Sequence, residues 1–168
     1  MTRRLIAIRW SLISAATLFI LLLQSQVLGR ITIWGVCPTI VPCIAAVAAT
    51  REPPYHAAMF ALVLGVVTDT LFVAPIVCFY VLVCVLAAGL SVLVARHLIM
   101  PGFRCSLVCC LVALLLSGAV SAVLFLHRGA ALNTVLGLLG RETLVSLPFA
   151  LVLIHPAFSH FHRITNPR

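Results

Sequence analysis

REPPYHAAMFALVLGVVTDTLFVAPIVCFYVLVCVLAAGLSVLVARH, residues 51–97, decides the fold. It opens on Arg51-Glu52-Pro53-Pro54 and closes on Arg96-His97, with two apolar runs between them that part at Pro75. Paired prolines cannot continue a helix and mark a tight loop. The runs at 57–73 and 76–95 each approach the length of about 20 residues that a helix needs to cross a bilayer. One acid, Asp69, lies inside this stretch, and it stands out against the apolar residues around it.

Outward from this hairpin the same pattern repeats. Apolar runs at 10–28 and 33–50 precede it, and runs at 105–126 and 143–158 follow it. The turn before the fifth run reads Pro101-Gly102-Phe103-Arg104. The first run follows Arg3, Arg4 and Arg9; it is longer than a signal-peptide core and lacks a small-x-small cleavage pattern, so it reads as a retained span. Gly129 to Gly140 is apolar but short and Gly-rich, and reads as an interfacial or re-entrant segment at 129–140 ahead of a short sixth span containing Pro148. The whole chain, 1–168, is expected to form one integral membrane domain.

Composition agrees. Of the residues 64% are hydrophobic and only 8% charged, with mean hydropathy +1.27. A soluble domain carries about a quarter charged residues, so this chain cannot give itself a wettable surface and its solvent is lipid. The fold class is therefore all-α, a polytopic membrane helix bundle of about six spans. The net charge of +8 comes from eleven arginines placed singly or in pairs between apolar runs. A nucleic-acid binder gathers such charge into a patch; here the arginines orient the chain. With six spans and the N-terminus inside, one side holds Arg3, Arg4, Arg9, Arg51, Arg96, Arg104, Arg163 and Arg168, and the other holds Arg30, Arg128 and Arg141. By the positive-inside rule both termini are cytoplasmic. Trp10 and Tyr55 then fall near the inner interface and Trp34 near the outer one.

The acids are Glu52, Asp69 and Glu142 alone. Intramembrane aspartyl enzymes need two carboxylates at one site, metal-dependent phosphotransferases need several, and HExxH and GxSG sites do not occur. No enzyme is expected. The seven cysteines contain no CxxC pair; Cys105 and Cys109 share a helix face without a His or acid beside them, so neither metal nor cofactor is expected. His160 and His162 form an HxH in the tail, a thin basis for a metal site. Gln24 and Gln26 either hydrogen-bond across helices or sit solvated at the interface. Ala57, Ala61, Gly65 and Asp69 recur every four residues and fall on one helix face, a stripe that permits close approach of a neighbouring helix or a partner. Asp69 costs roughly 2.5–3.5 kcal/mol at mid-bilayer. Either it bonds across a packed contact or faces a polar cavity, or it is a partly solvated carboxylate near the helix end, paired with a hydroxyl, Arg30 or Arg128. Arg141-Glu142 is either an interfacial salt pair or part of an outer site.

CPTIVPCIAAVAATREPPYHAAMFALVLGVVTDTLFVAPIVCFYVLVCVLAAGLSVLVARHLI resembles the rod shape-determining protein MreD family. Pro38 stands where that family opens its second span, Arg51-Glu52 at its basic-acidic turn, and Gly65 with Asp69 at its G-x-x-x-G-x-x-x-D helix; Ala61 replaces the first glycine. Ala74-Pro75 stands where the family often has a small residue or glycine. LLGRETLVSLPFALVLIHPAF is similar to its closing helix, with Glu142 and Pro148 in place. The resemblance implies a multi-pass protein of the bacterial cytoplasmic (inner) membrane and a scaffold role in the cell-wall elongation complex. It implies association with membrane lipid, an MreC-like bitopic protein, a RodA-type glycosyltransferase with its transpeptidase, and MreB-type filaments. Arg51, Glu52, Arg96, Arg104, Arg141 and Glu142 are the expected partner contacts. The competing expectation is the substrate-binding membrane subunit of an energy-coupling-factor vitamin transporter, which needs an outward pocket; Trp34, Asn133 and Arg141-Glu142 are its available lining.

Overall fold

Among the described residues six α-helices follow one another along the chain: α1 (Arg3–Gln26), α2 (Val41–Arg51), α3 (Pro54–Leu71), α4 (Phe79–His97), α5 (Phe103–His127) and α6 (Leu132–Thr165). The computed structural model describes residues 3–30, 32–72, 76–97 and 103–165. The expected breaks at Pro75 and Pro101-Gly102 lie outside these residues, as does Arg168, and the side chains of Arg3, Arg4, Arg9, Arg163, His160 and His162 are likewise outside the description. Among the described residues the only β pairing is an isolated bridge, Ile33 to Val36.

Among the described residues, four helical windows are long and apolar enough to cross a membrane: Pro54–Leu71, Phe79–Arg96, Phe103–His127 and Leu132–Val152. Only 22 to 33% of each window is buried inside the chain, so most of each apolar surface points outward. In water that surface would drive aggregation; in lipid it is what a spanning helix requires.

The centre of the bundle is α2. Every residue from Val41 to Ala49 is buried, and α2 packs on α3, α4, α5 and α6. Small residues make this density attainable: Ala45, Ala46, Ala48 and Ala49 on α2 meet Ala57, Ala61, Ala87, Ala88 and Ala113 from its neighbours. The most extensive helix pair is α3 with α4, while α1 touches chiefly α6.

Two expectations change. The second apolar run, read as a span over 33–50, is a helix only from Val41. Ile33 and Val36 exchange backbone hydrogen bonds at 3.0 and 3.1 Å around Trp34 and Gly35, both at positive φ, which is the requirement of a two-residue type I′ turn. Gly35, Pro38 and Pro42 remove helix geometry or donors until α2 starts, with Pro42 in its first turn. Eleven residues rise only about 16 Å, about half the thickness of the hydrocarbon core; residues 37–40 lead into the helix as irregular chain, with Ile40 already in the αR region. The second correction concerns the C-terminal part. From Leu132 on, the segment at 129–140 and the span at 143–158 belong to one continuous helix of 34 residues, Leu132–Thr165. Gly137 and Gly140 cost each about 1 kcal/mol against Ala, which weakens a helix without ending it. The true break is at Gly129 (φ 85), where Ala130 N–H bonds Phe125 C=O and Gly129 N–H bonds Leu126 C=O, a Schellman stop for α5.

Candidate functional site

Helix N-termini leave backbone donors without an intrahelical acceptor, and such a donor, where buried, costs free energy until something accepts its hydrogen bond. At the starts of α4 and α2 such donors are met by side chains from elsewhere in the chain. At α4 the residue before the helix is Cys78, held at φ 63. Asp69 of α3 supplies the cap: its Oδ1 accepts from Tyr80 N–H at 3.1 Å and its Oδ2 from Val81 N–H at 3.2 Å. A carboxylate at a helix N-terminus gains both charge-assisted bonds and the favourable end of the helix dipole, which offsets its cost in the bilayer.

Gly65 makes this contact geometrically attainable. A Cβ there would lie 2.5 Å from Val81 Cα, 2.9 Å from its nitrogen and 3.1 Å from Tyr80 O. Those atoms are backbone, so no rotamer change relieves the overlap. Ala57 and Ala61, one and two turns earlier on the same face, are 1% and 0% exposed. Ala57, Ala61 and Gly65 are thus buried in a packing face closed within the chain itself, while Asp69 at its end is half-buried and also lines a cavity of about 520 Å³ with Val66, Phe72 and Val81.

At α2 the caps come from two other helices. Ser146 Oγ of α6 accepts from Thr39 N–H at 2.9 Å, and Gln24 Oε1 of α1 accepts from Ile40 N–H at 3.2 Å. Thr39 Oγ1 in turn donates to Glu142 Oε1 of α6 at 2.8 Å. Gln24 is therefore a cross-helix hydrogen bonder. Thr39 and Ser146 were not legible as site residues from the sequence, because each is an ordinary hydroxyl in an apolar run.

Around Glu142 the bundle leaves a cavity of about 310 Å³, whose lining includes Thr39, Tyr80, Ser117, Ser121, Phe125 and Glu142. It lies at the end of the bundle where α1 ends and α4 begins. Ser117, Ser121 and Phe125 are spaced every four residues on α5 and share one face; that spacing was the available sequence signal for this wall. Ser117 is 7% exposed and, among the described residues, makes no side-chain hydrogen bond. Tyr80 stands within electrostatic reach of both Glu142 and Asp69. A second cavity of about 360 Å³ adjoins the first, sharing Gly35, Val36 and Leu138, and is lined also by Trp34, Asn133, Thr134 and Arg141. Arg141 and Glu142 do not form a salt pair: Glu142 bonds Thr39, while Arg141 lines the neighbouring cavity.

At the other end, Arg51 and Glu52 are half-buried at the α2–α3 junction, and Arg96 and Arg104 are exposed. Trp10 and His56 stack with ring centroids 5.8 Å apart. Between α1 and α3 runs an apolar groove of about 490 Å³, lined by Trp10, Leu18, Leu21, Met59, Phe60 and Val63 among others.

All seven cysteines are free thiols. Cys105 and Cys109 lie with sulfurs 4.0 Å apart, and Cys109 faces Ser91 O at 3.9 Å; no group of three metal-ligating side chains occurs among the described residues. No model of a known family, no curated protein and no solved structure matches the chain.

Proposed function

We propose that this chain is a non-enzymatic, MreD-like membrane scaffold of the bacterial cell-wall elongation complex, resident in the cytoplasmic membrane and required for rod shape and lateral peptidoglycan synthesis. The observation that supports it best is the placement of the residues that carry the resemblance. Gly65 and Asp69 perform one joint task, joining α3 to the start of α4, and Pro38 is buried in the segment that leads into α2. The motif residues thus build the framework that presents the outward faces, which is the work a scaffold needs.

With the small-residue stripe closed, the partner surface must lie elsewhere. The groove between α1 and α3 is the one we assign to the span of the MreC-like bitopic protein. Its lining on α3 runs from Tyr55 to Val67, roughly 18 Å of helix, a strip long enough for a single partner helix to lie along. RodA-type, transpeptidase and MreB-type partners belong to the same reading, the last through Arg96 and Arg104 at the inner end.

Depletion in a rod-shaped bacterial host tests the role. Rounded or swollen cells, together with co-purification of an MreC-like protein, are the expected result, and Met59→Trp, which fills the groove, should lower that co-purification at least several-fold. Normal shape on depletion would reject the scaffold. The two cavities around Arg141 and Glu142 favour a second reading, the substrate-binding subunit of an energy-coupling-factor transporter. Loss of uptake of one vitamin at normal cell shape would select it.

A further inference from the structure

The paired cavities at the α1–α4 end carry charge that the fold itself does not consume. Glu142 gives one oxygen to Thr39, which leaves its second oxygen for the cavity that it lines with Ser117 and Ser121. Ser117 is more than nine-tenths buried and, among the described residues, keeps a donor and two acceptor sites without a side-chain partner. Phe79, Tyr80 and Phe125 line the same space, and carboxylate, hydroxyl and aromatic side chains together make an environment for an ammonium group. The adjoining cavity has the opposite character. Arg141, Asn133 and Thr134 line it, and it sits over the first turns of α6, whose N-terminal dipole end favours an anion.

Neither a lone cation nor a lone anion suits this arrangement, because each would meet a like charge one residue away. Consecutive helix residues point about 100° apart, so Arg141 and Glu142 face different spaces while their Cα atoms remain about 3.8 Å apart. A ligand that satisfies both must carry its two charges only a few bonds apart. The cavity volumes, about 310 and 360 Å³, lie at the small end of ligand sites.

We propose that these cavities bind a small zwitterion, its ammonium against Glu142 and Ser117 and its anionic oxygens against Arg141 and Asn133. The phosphoethanolamine group has this chemistry, whether as the headgroup of a membrane lipid or as a free solute. The site is independent of the scaffold role: a chain that binds no zwitterion leaves the cell-shape experiment unaffected.

The full-length protein in detergent micelles doped with phosphatidylethanolamine or phosphatidylglycerol provides the test, with lipid retention read by native mass spectrometry. In parallel, free O-phosphoethanolamine is titrated against lipid-free protein and thermal unfolding is followed. Selective retention of the ethanolamine lipid, with no effect of the solute, assigns a lipid site; a raised unfolding temperature with the solute, and no lipid preference, assigns a soluble ligand. In either case Glu142→Gln should lower the preference by roughly tenfold or more, the loss of one charge-assisted bond. Ser117→Ala breaks no side-chain bond of the described chain and should lower the preference several-fold at unchanged unfolding temperature, so the result stands even if the Glu142 variant folds poorly. Equal retention of both lipids with no response to the solute overturns the proposal, and so does a preference that survives both substitutions.

Discussion

Asp69 and Glu142 are two carboxylates at the same end of one helix bundle, and the fold treats them differently. Asp69 has both oxygens engaged, by Tyr80 and Val81 N–H of α4, and its helix lies close enough to α4 that only glycine fits at the preceding turn. Glu142 has one oxygen engaged by a hydroxyl and lines open space with its neighbours Ser117 and Ser121. Both sit beside the start of a helix. The difference teaches that an acid in an apolar chain marks a site only where the backbone around it leaves a bond unmade. Both acids line cavities, but Asp69 meets its cavity with both oxygens engaged, whereas Glu142 keeps one oxygen to spare.

The sharpest way to break the Asp69 side of this comparison is through Gly65. Gly65→Leu puts a side chain into the backbone of Val81, and helices so close cannot separate without uncapping α4. Overpacking alone costs about 1–3 kcal/mol, and the lost caps add to it, so the variant should fail to yield folded protein on size-exclusion chromatography in detergent. Gly65→Ala should fold with a clearly lowered unfolding temperature. An alanine variant as stable as the parent would show that α3 and α4 do not approach this closely.

Removing the carboxylate itself is the next effect in size. Asp69→Ala leaves Tyr80 and Val81 N–H groups without an acceptor, a loss of about 1–3 kcal/mol per stranded polar group. Asp69→Asn keeps one acceptor oxygen and should lose less than the alanine variant in thermal unfolding. If the two variants unfold alike, the capping geometry is not what stabilises the contact.

This contact also shows what the sequence alone could and could not reveal. The close approach of the Ala57-to-Asp69 face follows from spacing, since a period of four needs only helix geometry. That Asp69 caps α4 does not, because local capping rules look for the acceptor immediately before the helix, whereas this one lies 11 and 12 residues upstream of its donors. The start of α2 was hidden for a related reason. Ile33 to Thr50 is largely apolar, and hydropathy cannot tell a spanning helix from a tight turn and irregular chain leading into a short one; Gly35, Pro38 and Pro42 are the signals to weigh. At α6 the error ran the other way, because Arg141-Glu142 looked like the end of a segment, yet both side chains find cavities at the side of an unbroken helix. Thr39 and Ser146 were illegible, since their roles exist only where the start of α2 meets α1 and α6.

The caps of α2 offer an intermediate test. Ser146→Ala strands Thr39 N–H, and Gln24→Leu strands Ile40 N–H. Each should cost about 1–2 kcal/mol. The two donors are adjacent at one helix start, so the double variant should depart from additivity. Strict additivity in unfolding free energies would mean that the two caps act on separate structures.

Glu142 should give the smallest change in stability and the most informative one. Glu142→Gln retains an oxygen that can accept from Thr39 Oγ1, and so keeps the one bond that Glu142 makes to the fold. What it removes is the charge, which no arginine in the described chain neutralises at bonding distance. Unfolding of this variant should therefore stay within about 1 kcal/mol of the parent, well above Asp69→Ala on the same scale. If Glu142→Gln instead destabilised the chain as much as Asp69→Ala, Glu142 would be a second structural cap with its charge fully used by the start of α2. The contrast between the two carboxylates would then collapse, and the open oxygen with it.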